Sequence, residues 1–312
     1  MISNRTSTLA AMALTVLATS LPNTATAGAW TRTFLDTYVK ASADFYRATS
    51  YVDPQTGQTH DDDFFGQQYS VYGELGLVRA WPVQVSMLLP MTIGRRSFTT
   101  AQFADGGRGF ATAIHPGDLR TSLQVAVLRQ SLQLSVQAEV KVPLYANDDV
   151  GNKLGSYREF FPLPGDGQVD LTARLLAGAS LPQGIGWIEG SVGYRARTEA
   201  FVGWDTDIAF VDGLPFEFRV GFSKGPLTGI VAIDGMKNLR SDPYTREGIA
   251  IGGGAVLVLG RGLSLETRLQ GEVWANNAPQ GLSFGLGLSA QAPSNRWTWR
   301  SRMKPAADGD RT

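Results

Sequence analysis

Leu132-Gln133-Leu134-Ser135-Val136-Gln137-Ala138-Glu139-Val140-Lys141-Val142 alternates without a fault, apolar at every even position and polar or charged at every odd one. Successive side chains of a strand point to opposite faces, so these residues form a strand with one apolar and one polar face. The pattern recurs along the chain. Leu119, Leu123, Val125 and Val127 oppose Arg120, Ser122 and Gln124. Val169, Leu171, Ala173, Leu175 and Ala177 oppose Gln168, Asp170, Thr172 and Arg174. Leu263, Leu265, Leu269 and Val273 oppose Ser264, Glu266, Arg268, Gln270 and Glu272.

A two-faced strand of about ten residues suits either a soluble sandwich, apolar face inward, or a membrane barrel, apolar face toward lipid. Connection lengths separate the two. Strands are expected near Asp36–Tyr46, Phe64–Val78, Val83–Thr92, Asp118–Leu128, Leu132–Val142 and Gln168–Leu181. Six more follow near Trp187–Thr198, Phe216–Ser223, Thr228–Gly235, Gly248–Leu259, Leu263–Trp274 and Leu282–Ala290. About twelve results, an even number, as a single-chain bacterial barrel requires. Short turns at 79–82, 129–131, 182–186, 224–226 and 260–262 alternate with mostly longer polar connections at 48–63, 93–117, 143–167, 199–215 and 236–247 and a brief one at 276–281. Short periplasmic turns alternating with long extracellular loops mark an outer-membrane barrel with both termini periplasmic. The expected fold is therefore all-β, a transmembrane antiparallel up-and-down barrel over residues 28–292.

The tryptophans agree with this, because their rings favour the membrane interface. Trp30, Trp81 and Trp187 fall at expected periplasmic ends, Trp204 and Trp274 at or beside extracellular ends, and all five are read as interface aromatics. Composition narrows the class further. The chain of 312 residues is 43% hydrophobic and 18% charged, with 36 glycines, yet after the N-terminus it has no apolar run of the roughly 18 residues a spanning helix needs. A formal net charge of +0 offers no basic surface for nucleic acid. The absence of cysteine removes disulfides, thiolate metal sites, cysteine nucleophiles and a lipidated cysteine.

Residues 1–27 read as a signal peptide: Arg5 without acids, an apolar stretch from Leu9 to Leu21, then Ala25-Thr26-Ala27 before the cut. The mature chain should begin at Gly28. Residues 293–312 form a polar periplasmic tail.

With the apolar phase facing lipid, the other phase lines the lumen. Its acids are Asp36, Asp44, Glu74, Asp118, Glu139, Asp170, Glu189, Glu217, Glu266 and Glu272; its bases are Lys40, Arg120, Lys141, Arg174, Arg195, Arg197, Arg219 and Arg268. Signs this mixed favour cross-strand ion pairs and weak ion selectivity. Either these charges line a narrow channel or they pair within a closed scaffold.

Several motifs carry a resemblance: Tyr72-Gly73-Glu74-Leu75-Gly76-Leu77, Gly117-Asp118-Leu119, Val140-Lys141-Val142-Pro143-Leu144, Gly165-Asp166-Gly167 followed by Val169-Asp170, and Gly193-Tyr194-Arg195. Together they resemble the outer-membrane family associated with the meta pathway of phenol degradation, a distant relative of the long-chain fatty-acid transporter barrels. The resemblance implies uptake of small hydrophobic or aromatic compounds, with sideways exit through a weakened wall, for which Pro90 and Pro143 are the candidates. Too few residues precede the first strand for the N-terminal lumen plug of the fatty-acid transporters, so no plug is expected.

Catalysis is not expected. His60, before Asp61-Asp62-Asp63, and His115 fall in expected loops, where a solvated acidic loop is a simpler reading than a rim protease. Asn147-Asp148-Asp149 lacks the spacing of a calcium loop, and Gly252-Gly253-Gly254 lacks that of a phosphate loop. Neither a cofactor nor a metal is expected; the expected partners are outer-membrane lipid and a small-molecule solute. The alternative is a closed structural or adhesion barrel whose loops bind a partner.

Overall fold

The computed structural model describes residues 28–52, 59–99, 108–145, 167–201, 210–240, 245–276 and 278–292. Among them lie β1 (Thr37–Val52), β2 (Thr59–Gly76), β3 (Val83–Thr99), β4 (Arg108–Pro116), β5 (Asp118–Arg129), β6 (Leu132–Pro143) and β7 (Gln168–Ser180). There follow β8 (Gly186–Phe201), β9 (Gly213–Lys224), β10 (Leu227–Asn238), β11 (Glu247–Gly260), β12 (Leu263–Asn276) and β13 (Ala278–Ala292). Strands adjacent in sequence pair antiparallel, apart from β4 and β5, and β1 pairs with β13, Ala41 opposite Leu288, so the sheet closes on itself.

The segments β4 and β5 are two halves of one wall strand. The strand β3 pairs with β5 over Val83 to Leu88 and with β4 over Met91 to Thr99. The wall therefore has twelve antiparallel strands, the architecture expected from the alternation. The break lies at Pro90 and Gly117, where the Gly117 N–H donates to the Pro90 carbonyl at 2.8 Å. A Cβ at Gly117 would come within 2.7 Å of Pro90 Cγ, so only glycine lets the two chains approach this closely. Gly117→Val is expected to cost about 1–3 kcal/mol through overpacking, read as a lower urea midpoint of the barrel in lipid vesicles. Pro143, by contrast, keeps register opposite Asp118. Of the two prolines expected to weaken the wall, only Pro90 sits at a discontinuity.

The strands are longer than the expected ten residues. The strand β2 has 18 and β3 has 17, whereas about 9–11 cross a bilayer. The excess of β3 lies above the wall in a hairpin with β4, Thr99 opposite Arg108, so much of the expected 93–117 loop is strand. His60 lies in β2 and His115 in β4, which corrects their placement in loops.

The packing is inside-out. Val39, Val71, Leu89, Leu123, Val136, Leu171, Val192, Phe218, Val231, Ile251, Leu265 and Leu286, one from each wall strand, are all exposed on the outer face. The largest fully buried side chains are instead Gln168, Thr245, Asp170 and Ser135. A water-soluble domain does not present a continuous apolar belt of this extent; hydrocarbon is the solvent it fits, and closure leaves the twelve-stranded wall without a free sheet edge there. No described helix is long and apolar enough to cross a membrane.

Candidate functional site: a half-floored lumen

At the end of the barrel that carries the short turns, residues 28–33 turn inward. Ala29 is 1% exposed and Thr31 8%. The Gly28 carbonyl accepts from Gln124 Nε2 at 2.7 Å, and the Ala29 carbonyl from Ser135 Oγ. Trp30 meets the edge of Trp187 at 6.3 Å between ring centroids and lies where a Cβ at Gly178 would be, 2.8 Å from its ring. Arg32 donates its N–H to Gln84 Oε1 at 2.7 Å and pairs through Nε with Glu74 Oε2 at 2.6 Å. Its guanidinium stacks over Tyr38, 5.0 Å from the ring centroid. Glu74 in turn accepts from the Tyr72 hydroxyl at 2.7 Å. The segment is thus held by β1, β2, β3, β5, β6, β7 and β8, a little over half the circumference, and floors that half of the lumen.

Too short for the folded plug of the fatty-acid transporters, the segment nevertheless floors part of the lumen. Six residues suffice because the Gly28 and Ala29 carbonyls accept from two inward side chains of the wall, while Arg32 and Trp30 tie the segment to others. The structure corrects two of the five tryptophans. Trp187 shares parity with Glu189, points inward at 8% exposure and packs against Gly221, and Trp30 joins it there. Trp81, in the turn before β3, is 67% exposed. Trp274 shares the outer face with its register partner Ile249 and stacks under Lys237 Nζ at 5.0 Å. Trp204 lies outside the described residues, as do 1–27, the Asn147-Asp148-Asp149 segment and the 293–312 tail.

Above the floor, ion pairs lace strands together. Lys141 Nζ lies 3.0 Å from Asp170 and 3.7 Å from Asp118, all three side chains largely buried. Arg219 pairs with Glu217 and, at 3.5 Å, with Glu189. Two further ties skip a strand. Lys40 Nζ and the Tyr38 hydroxyl both donate to Glu266, at 2.6 and 2.7 Å, and Arg268 pairs with Asp44 at 2.9 Å. These ties cross β13, whose inward residues there are Gly285 and Gly287. A Cβ at Gly287 would come within 2.7 Å of Lys40 Cε, and one at Gly285 would strike the Asp44 carboxylate. Glycine clears the path.

The other charges line the upper wall. Arg120 is in register with Lys141, and Arg197 with Asp170. The Arg197 N–H donates to Asp212 at 2.8 Å while its guanidinium stacks on Phe210. Arg195 lies in register with Thr172, Glu272 accepts from the Gly281 N–H at 3.0 Å, and Arg174 Nε is buried without a hydrogen-bond partner among the described residues. Asp36 is the exception. It precedes β1 and caps the turn at Thr33, at the rim and not on the lumen wall.

Between floor and loops lies a cavity of about 480 Å³. Lys40, Asp44, Glu139, Arg174, Glu217, Arg219, Glu266 and Arg268 contribute polar groups to it, whereas Ile230, Ala232 and Val256 of β10 and β11 form an apolar patch beside the bare backbone of Gly252, Gly253 and Gly254, with Leu88 and Leu176 on other parts of the wall. The glycines are there for close packing: a Cβ at Gly254 would collide with the Thr267 carbonyl of β12. Gly253, whose place in strand phase is outward, leaves the triplet a wall segment and not a phosphate cradle.

A closed twelve-stranded wall with an apolar outer belt and a polar, partly floored lumen defines the fold of an outer-membrane β-barrel. A solved barrel shares it. The chain superposes on an outer membrane channel from Pseudomonas putida F1 with a TM-score of 0.60 at 10% identity, covering 83% of this chain and 96% of that one. It superposes more loosely, with a TM-score of 0.43 at 13% identity, on the translocator domain of the autotransporter NalP from Neisseria meningitidis, covering 91% of this chain and 95% of that one. No protein-family model and no curated protein matches the chain.

Proposed function

We propose that the protein is a passive, non-catalytic channel of the outer membrane, exported by the signal peptide 1–27, through which small hydrophobic or aromatic solutes enter. The observation that carries this reading is the cavity of about 480 Å³ with an apolar patch of Ile230, Ala232 and Val256 on β10 and β11 and charges on the surrounding wall. A pocket of that size holds one small molecule, and convergent polar groups opposite an apolar surface suit a solute with a ring and a polar handle. The resemblance to the phenol-degradation family supports the same solute class, and the Pseudomonas putida neighbour is itself a channel. Its short turns would face the periplasm and its long connections the exterior.

Planar-bilayer recordings of the purified protein test this. Discrete single-channel steps are expected, small because half the lumen is floored and weakly ion-selective because the wall charges are paired. The floor also favours a second reading, a closed barrel that binds a partner through its loops. Absence of steps from protein that keeps its heat-modifiable folded form would establish that one instead.

A further inference from the structure

Glu189 is the most exposed to question of the lumen carboxylates. It is 6% exposed, with Oε1 facing Arg219 Nη1 at 3.5 Å. Arg219 is shared with Glu217, so two acids divide one guanidinium and a negative charge is left over. Glu189 Oε2 is buried and has no hydrogen-bond partner among the described residues. A buried carboxylate with an idle oxygen is costly unless a cation or donor reaches it. What touches this oxygen is the backbone of Gly28: the Glu189 carboxylate occupies the space of the side chain that Gly28 lacks. Gly28 is also the residue that follows Ala25-Thr26-Ala27.

We propose that cleavage after Ala27 creates the missing cation, and that the α-ammonium of Gly28 binds the buried Glu189 carboxylate, seating residues 28–33 as the floor of the lumen. Before cleavage the Gly28 nitrogen is a neutral amide with one N–H. Hydrolysis of the Ala27–Gly28 bond consumes one water, leaves a carboxylate on Ala27 and gives Gly28 an ammonium with three donors and a positive charge. That charge matches the excess of the Glu189, Glu217 and Arg219 cluster. Gln124 and Ser135 fix the next two carbonyls, and Trp30 anchors between Gly178 and Trp187, so the amine is held in one place. A side chain at Gly28 would displace the carboxylate.

The proposal rests on the export reading above, and the test separates the two. Mature protein purified from outer membranes is acetylated at neutral pH with an N-hydroxysuccinimide ester, and the N-terminal peptide is followed by mass spectrometry. The chain is expected to start at Gly28 with a free amine that reacts at least roughly tenfold more slowly than in Glu189→Gln, because a paired ammonium is both protonated and shielded. A wild-type chain refolded with one alanine added before Gly28 moves the amine by about 3.8 Å. It should react as fast as Glu189→Gln, and it carries the comparison if that variant does not fold. Any other N-terminus overturns the proposal together with cleavage at this bond. A Gly28 terminus with equal rates in all three proteins overturns the ion pair alone.

Discussion

Val136→Arg is expected to destabilise the folded barrel by roughly 2 to 4 kcal/mol, and Gln137→Arg by far less. The two residues are adjacent, so backbone propensity and height in the wall are the same for both; only the facing differs. Val136 is 45% exposed on the outer face, between Val125 of β5 and Leu175 of β7. A guanidinium there must enter hydrocarbon near mid-membrane. Gln137 faces inward, donates to Ser122 Oγ at 3.0 Å and lines the cavity with Glu139, where an arginine finds water and a carboxylate. Reversible urea unfolding into lipid vesicles measures both. Equal costs would refute the assigned facing of β6 and, through its register, of its neighbours.

Lys141→Met is expected to cost about 3–5 kcal/mol, the penalty for stripping the partner from a buried charge. Lys141 bridges Asp118 of β5 and Asp170 of β7, and the Asp170 side chain is 1% exposed. Methionine preserves the stem and its packing but leaves two carboxylates facing each other in the wall. Adding Asp170→Asn should recover a substantial part of the loss, since the neutral amide needs no counterion. A single variant as stable as the wild type would show that Arg197, in register with Asp170, already suffices.

The wall was legible in the sequence because every membrane-crossing strand meets hydrocarbon on one side and polar surroundings on the other, so period two is written into β5, β6, β7 and β12. Above the bilayer both faces meet water and the signal vanishes. Residues 93–99 and 108–116, with Gly94-Arg95-Arg96-Ser97, therefore read as loop although they pair as β3 and β4. The strands β10 and β11 blur for the opposite reason: Ile230, Ala232 and Val256 put apolar groups on the lumen side as well. The floor was invisible, since six residues carry no period. Trp187 could have been found, because its parity with Glu189 and Ser191 already points it inward. The interfacial preference of tryptophan pulls against strand phase here, and close packing against Gly178 and Gly221 decides the matter.

The ties over the bare glycines of β13 bear on how the closed barrel lasts. Lys40–Glu266, Tyr38–Glu266 and Asp44–Arg268 join the first strand to the penultimate one, so none can form until the first and last strands have met. Contacts that exist only after an event leave its forward rate alone and slow its reversal. The seam is thus a latch: it asks nothing extra of the chain while the cylinder is zipping shut, and it resists peeling once the last hairpin has clicked home.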